Sequence, residues 1–148
     1  MLALTQLIAV LATTFFAGAA IYINLVEHPA RMGCATEIAA TVWAPSYKRA
    51  TVMQASLAVV GFLAGVAAWL LGASVMWLVG ALFIFAVVPV TLIVIFPTNN
   101  RLLAPGRDLA SHETRELLIK WGQLHAIRSV LSFIASAIYV WLLVMSNE

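Results

Sequence analysis

Apolar residues run through this chain in four long blocks, at positions 2–26, 51–71, 75–96 and 126–145. Arg128 is the only charged residue inside them. Each block reaches the roughly 20 apolar residues that cross a bilayer as a helix. Extended to their polar flanks, they predict transmembrane helices at about residues 2–27, 46–71, 75–96 and 118–145. Long loops at about 28–45 and 97–117 complete a single membrane domain, 1–148. The link Gly72-Ala73-Ser74 allows only a turn, so helices two and three are antiparallel neighbours. The expected fold is all-α: a polytopic four-transmembrane-helix bundle with both termini on the same side. The first block lacks a basic leading region and is too long for a signal peptide, so it counts as a helix.

Composition agrees with the pattern. The chain is 64% hydrophobic and 9% charged, where a soluble domain carries about 25% charged residues. Lys plus Arg exceed Asp plus Glu by 8 to 6, too small an excess to suggest nucleic acid as a partner. The lipid bilayer is the partner this composition demands. Cys34 is the single cysteine and forms no intrachain disulfide. The basic residues then orient the chain. Arg31, Lys48 and Arg49 lie between helices one and two; Arg101, Arg107, Arg115 and Lys120 lie between helices three and four. The positive-inside rule places both long loops in the cytoplasm and both termini outside, in a plasma or bacterial inner membrane.

Prolines and glycines punctuate the helices. Pro29 is expected to end helix one and leave His28 at its rim. Residues 33–43 fit a short interfacial helix, and Pro45 suits the first turn of helix two. Gly61 and Gly65 form a small-xxx-small pair, which packs helices inside the bundle or in a homo-oligomer. Pro89 should kink helix three, with Thr91 capping a freed carbonyl. Pro97 is expected to end that helix, and Pro105-Gly106 reads as a turn. Asp108 or Ser111 can cap the last helix. From Ser111 to Met145 the pattern stays helical for 35 residues, about 52 Å at 1.5 Å each. Its first turns should therefore project from the membrane or lie along it. The stretches Asn24–Pro29 and Pro97–Arg101 echo each other loosely.

Polar side chains gather at four helix ends on one membrane face. Helix one brings Asn24, Glu27, His28 and Arg31; helix two brings Tyr47 and Gln54; helix three brings Asn99, Asn100 and Arg101. Helix four brings Trp121, His125 and Arg128, which share a face at i, i+4 and i+7. Four such ends form a pocket open to the cytoplasm and floored by apolar residues. Arg31, Lys48, Arg49 and Arg101 also fit snorkelling anchors, and Trp43, Tyr47 and Trp121 fit an aromatic belt. His28 and His125 do not suit either role, and ionisable groups at membrane depth mark functional sites by default. Glu27, His28 and His125 together have the ligand types for zinc, iron or copper, and the two histidines suit haem. Nothing in the spacing requires a cofactor. The sequence holds no Gly-rich phosphate cradle, no Cys-x-x-Cys and no Ser–His–Asp spacing.

Four segments carry a family resemblance: Asn24-Leu25-Val26-Glu27-His28-Pro29-Ala30-Arg31, Trp43-Ala44-Pro45-Ser46-Tyr47, Pro97-Thr98-Asn99-Asn100-Arg101-Leu102 and Trp121-Gly122-Gln123-Leu124-His125-Ala126-Ile127-Arg128. In this order, over nearly the whole chain, they resemble the anthrone-oxygenase-like four-helix integral membrane family. The resemblance implies an oxygenase acting with O2 on a hydrophobic, anthrone- or quinol-like aromatic small molecule. On that reading His125 or His28 is the general base. Arg128, Asn100 and the Trp121 N–H stabilise an oxyanion, with Asn24 beside them. Tyr47, Gln54, Arg31 and Asn99 bind substrate. A carbanion so formed reacts with dioxygen without an organic cofactor. Two alternatives stay open at this stage: a non-enzymatic binding or transport module, and a haem- or metal-binding protein using His28 and His125.

Overall fold

The structure is a computed structural model, and it describes residues 1–145. Four helices are each long and apolar enough to cross a membrane: α1 (Leu2–Met32), α2 (Thr36–Leu70), α3 (Met76–Leu102) and α4 (His112–Met145). The described residues contain no strand. The chain is thus an all-helical integral membrane bundle.

The helices run up and down, and the core is layered along them. At one end Ala9, Ala64, Ala68, Trp77 and Tyr139 pack together, with Leu2 and Leu142 against them. Residues from both ends of the described chain therefore meet at this end of the bundle. Phe16, Ala20, Ala58, Ile84, Val87 and Ala135 fill the middle. Ile23, Trp43, Ile95, Leu102, Leu118 and Trp121 close the opposite end. Alanine supplies half or more of the residues in the first two of these layers, as expected where helices in lipid associate through close backbone approach.

Gly61 and Gly65 serve that approach inside the protomer. A Cβ on Gly61 would meet Thr13 at 2.6 Å, and one on Gly65 would overlap the Tyr139 hydroxyl. Gly61 and Gly65 thus pack against the chain's own α1 and α4.

Three prolines behave differently from their sequence expectation. Helix α1 does not stop at Pro29 but continues to Met32. A π-helical stretch, Ile23–Glu27, precedes Pro29, and Pro29 sits in the first turn after it. A π turn bonds i to i+5, so the proline's missing N–H and its ring are absorbed by the wider turn. Helix α3 repeats the device: Val90–Ile95 is π-helical and Pro97 opens the next α turn. The loose echo between the two halves thus has a structural counterpart. The Thr91 hydroxyl donates to the Val87 carbonyl at 2.7 Å, an i−4 back-bond, whereas the carbonyl that Pro89 frees is that of Phe85. Pro45 lies inside α2 rather than at its start. It and Thr41, whose carbonyl it leaves unpaired, are both exposed, so solvent can replace the lost bond.

The expected loop of residues 28–45 therefore contracts to the turn 33–35. Arg115 of α4 staples it, donating to the carbonyls of Cys34 at 3.0 Å and Met32 at 2.5 Å. The Met32 carbonyl is one that the end of α1 leaves orphaned, and the Cys34 carbonyl belongs to the turn. Ser111 caps α4 by accepting the Thr114 N–H at 3.2 Å. The Asp108 carbonyl accepts the Thr114 hydroxyl at 2.7 Å.

Candidate functional site

The π stretch in α1 sets the site. It turns Asn24 toward α4, where its amide makes three hydrogen bonds. Asn24 Nδ2 donates to the Gly122 carbonyl at 2.9 Å, which fixes the amide's orientation. Its Oδ1 then accepts the Ser129 hydroxyl at 2.6 Å and faces His125 Nδ1 at 2.7 Å. Because that oxygen is an acceptor, His125 Nδ1 carries the proton and Nε2 holds the lone pair; the tautomer follows from the network. His125 itself is 1% exposed.

One turn further along α4, Arg128 is 7% exposed. It donates through Nη2 to Gln54 Oε1 of α2 at 2.6 Å. Its guanidinium carbon lies 5.4 Å from the centroid of the Phe16 ring. Among the described residues no carboxylate forms an ion pair with Arg128. A buried cation matched only by a neutral amide and an aromatic face is short of negative charge.

An aromatic box backs the histidine. The Trp121 ring lies 4.9 Å from His125 and 5.1 Å from His28. Trp43 stands edge-on to Trp121 at 5.7 Å and stacks on Tyr47 at 5.0 Å. Trp43 and Trp121 are buried, so neither serves in an interfacial belt. Asn99 of α3 donates to the Tyr47 hydroxyl at 3.0 Å, holding that ring from behind.

These groups enclose a small polar cavity lined by Ile23 and Arg31 of α1, Tyr47, Thr51 and Gln54 of α2, and Trp121, His125 and Arg128 of α4. Its volume is about 10 Å³, room for about one water. A larger apolar cleft of about 150 Å³ lies between α2 and α3 and shares Thr51, Gln54 and Arg128 with the polar cavity. Four donors on residues of the polar cavity are buried without a hydrogen-bond partner: Arg31 Nε, Trp121 Nε1, Gln54 Nε2 and Arg128 Nε. Buried donors are normally paired, so an unpaired set around one space points to an acceptor that fills it.

Residues 43–138 match the sequence profile of the family described as Anthrone oxygenase. The chain belongs to the anthrone oxygenase family. It is also 29% identical over 145 residues to the anthrone oxygenase tpcL of Aspergillus fumigatus, covering 91% of this chain and 90% of that protein. No solved structure matches it. The anthrone oxygenase match spans the α2, α3 and α4 components of the site, from Trp43 and Tyr47 through Asn99 to Trp121, His125 and Arg128.

The structure rearranges several of the expected roles in this anthrone oxygenase family member. The cavity has three walls, since α3 contributes only indirectly through Asn99. Asn100, expected among the oxyanion donors, is exposed and lines neither cavity. Adjacent residues on a helix point about 100° apart, so with α3 continuing past Pro97 only Asn99 can face inward. His28 is buried, but it lies behind Trp121 against Gly122 rather than on the cavity. Glu27 is engaged by Arg31 in an i, i+4 ion pair and accepts the Ser46 hydroxyl at 2.7 Å. That carboxylate bridges α1 and α2 and is not gathered with the two histidines. No group of three His, Cys, Asp or Glu suited to a metal occurs among the described residues.

Three contributors were not singled out from sequence. Ser129 bonds to the same oxygen as His125. Ser46 joins the Glu27–Arg31 pair. Gly122 supplies a carbonyl to Asn24 and room for His28, since a Cβ there would sit 2.6 Å from His28 Nε2. Ser129 had a usable signal: it follows Arg128 and lies four residues from His125.

Proposed function

We propose that this protein oxidises a lipid-soluble, anthrone-like aromatic ketone or quinol with dioxygen, using His125 as general base. The observation that carries the reading is the Asn24–His125 pair at 2.7 Å. It leaves a basic nitrogen on a buried histidine that lines a cavity, whose residues also carry the unpartnered N–H groups of Trp121, Gln54, Arg31 and Arg128.

The chemistry follows from these groups. An anthrone has an acidic CH2 flanked by two rings, and its conjugate base places charge on the ring oxygen. His125 Nε2 takes the proton. Arg128, with the Trp121 N–H, stabilises the oxyanion in a space closed to bulk water. The electron-rich carbon reacts with O2 to give a peroxide at that position. Removal of the second C–H proton, with O–O cleavage, leaves the quinone carbonyl and releases water. The sum is one anthrone plus one O2 giving one anthraquinone plus one water. Tyr47, Gln54 and Arg31 meet the reacting edge of the substrate, which must widen a cavity that otherwise has room for about one water, and Asn99 positions Tyr47. With the basic residues facing inward, the site lies at the cytoplasmic face.

The relative's name supports the substrate class, and the family match supports oxygenase chemistry. The test is turnover of a hydroxylated anthrone under ¹⁸O2 by purified protein in proteoliposomes, measured above the spontaneous rate. One ¹⁸O per quinone is expected. Uptake no faster than in empty vesicles sinks the reading, and tight binding without turnover favours a binding module instead. Metal analysis and an absorption spectrum of the same preparation test the haem- or metal-bound alternative.

A further inference from the structure

The apolar cleft between α2 and α3 is larger than the polar cavity, and the chemistry above leaves it without a role. Its outer rim carries Ala55 and Leu92, both exposed on the surface that meets lipid. Its walls are Ala58, Val87 and Val88. At its inner end lie Gln54, 1% exposed, and Arg128, 7% exposed, whose Nε2 and Nε have no hydrogen-bond partner. A slot that is apolar at the lipid and donor-bearing at the core selects one kind of molecule.

We propose that this cleft is a lateral entrance from the bilayer and a ring-binding subsite. The ligand class is a flat, lipid-soluble aromatic with a carbonyl or phenolic oxygen at its edge. The inference rests on the oxygenase reading for the identity of the ligand but not for the existence of the site. At about 150 Å³ the cleft matches the size of an apolar cavity that accepts one benzene ring. One ring of a fused system therefore enters, oxygen first, and the remainder extends past Ala55 and Leu92 toward lipid. Apolar walls reject hydrated or charged solutes, because these would shed water without compensation. The unpartnered donors of Arg128 and Gln54 reward an acceptor oxygen at the inner end.

A rival groove opens on the other side, between α1 and α4, lined by Leu25, Ala126, Val130 and Phe133 with Asn24 and Ser129 at its base. Both donor atoms on its polar side chains are already engaged, Ser129 Oγ with Asn24 Oδ1 at 2.6 Å and Asn24 Nδ2 with the Gly122 carbonyl at 2.9 Å, whereas Gln54 Nε2 and Arg128 Nε of the cleft have no partner. That difference assigns the ligand to the α2–α3 cleft.

The test is photolabelling of the full chain in lipid nanodiscs with a diazirine-bearing 1,8-dihydroxyanthraquinone. Excess unmodified quinone competes, so that general labelling of the lipid-facing surface is subtracted. Competable adducts are expected on residues 51–58 and 87–96. Ala55→Phe should reduce them at least tenfold, and Leu92→Trp on the opposite rim should do the same if Ala55→Phe does not fold. Ala126→Phe, in the rival groove, should leave them unchanged. Competable adducts on residues 21–25 or 126–133, no competable adducts at all, or full labelling of both rim variants would overturn the proposal. Oxygen uptake is recorded on the same samples. Competable cleft labelling without uptake removes the oxygenase reading and leaves the entrance standing. Normal uptake with kcat/KM unchanged in both folded rim variants removes the entrance and leaves the oxygenase.

Discussion

Replacing Asn24 by alanine separates the structural and chemical parts of the account. The side chain makes three hydrogen bonds, to Gly122, Ser129 and His125, at 2.9, 2.6 and 2.7 Å. Interhelical hydrogen bonds in membrane proteins average about 0.6 kcal/mol each. The stability loss is then about 2 kcal/mol, near three such bonds, and the bundle survives it. The catalytic loss is larger. Without Asn24, nothing holds the proton on His125 Nδ1, and the ring can present N–H instead of a lone pair to the substrate. A general base contributes about 10²–10⁴-fold, so kcat should fall about 100-fold, at the lower end of that range. The assay is initial oxygen uptake with a hydroxylated anthrone in proteoliposomes, with spontaneous oxidation subtracted. Asn24 acts through His125, so Asn24→Ala on top of His125→Ala should cost nothing further. A rate within twofold of the parent for Asn24→Ala refutes the reasoning. So does a double variant in which the two losses multiply.

Two other substitutions probe the buried cation and the bundle's packing. Arg128→Lys keeps the charge but loses the fork that reaches Gln54. One charge-assisted hydrogen bond is worth about 1.5–3 kcal/mol, so kcat/KM should drop at least about tenfold, and a value within threefold of the parent would contradict the anchoring role. Gly65→Ala drives a methyl group into the Tyr139 hydroxyl and should cost about 1–3 kcal/mol of stability. That hydroxyl has no hydrogen-bond partner, so adding Tyr139→Phe should restore part of the loss in a detergent melting curve; no recovery would argue against the contact.

The four spans could be read from the sequence because lipid demands uninterrupted apolar helices, and this chain supplies them with one charge among four blocks. The cap at Ser111 and the reach of α4 to Met145 could be read for the same local reasons. The ends of α1 and α3 were not legible. Proline is a sound stop signal in a regular α-helix, but here each is preceded by a π stretch that absorbs its missing bond, and nothing local announces a π turn. That misreading spread to the site. With helix three ended at residue 96, Asn99 and Asn100 had no helical phase, so both were candidates; the continued helix buries Asn99 and exposes Asn100. Trp121, His125 and Arg128 were legible as one face because they share an unbroken helix. Their partners were not, since Asn24 lies 101 residues from His125 and Gln54 lies 74 from Arg128. The Glu27–Arg31 pair was legible in principle from its i, i+4 spacing.

The central claim is that His125 removes a proton from the substrate so that dioxygen can react. The most direct measurement compares anthrone-dependent oxygen uptake by the parent protein and by His125→Ala, matched for folded protein in the same lipid. The account predicts a loss of at least about 100-fold, within the range for a general base. Full uptake by His125→Ala would contradict it.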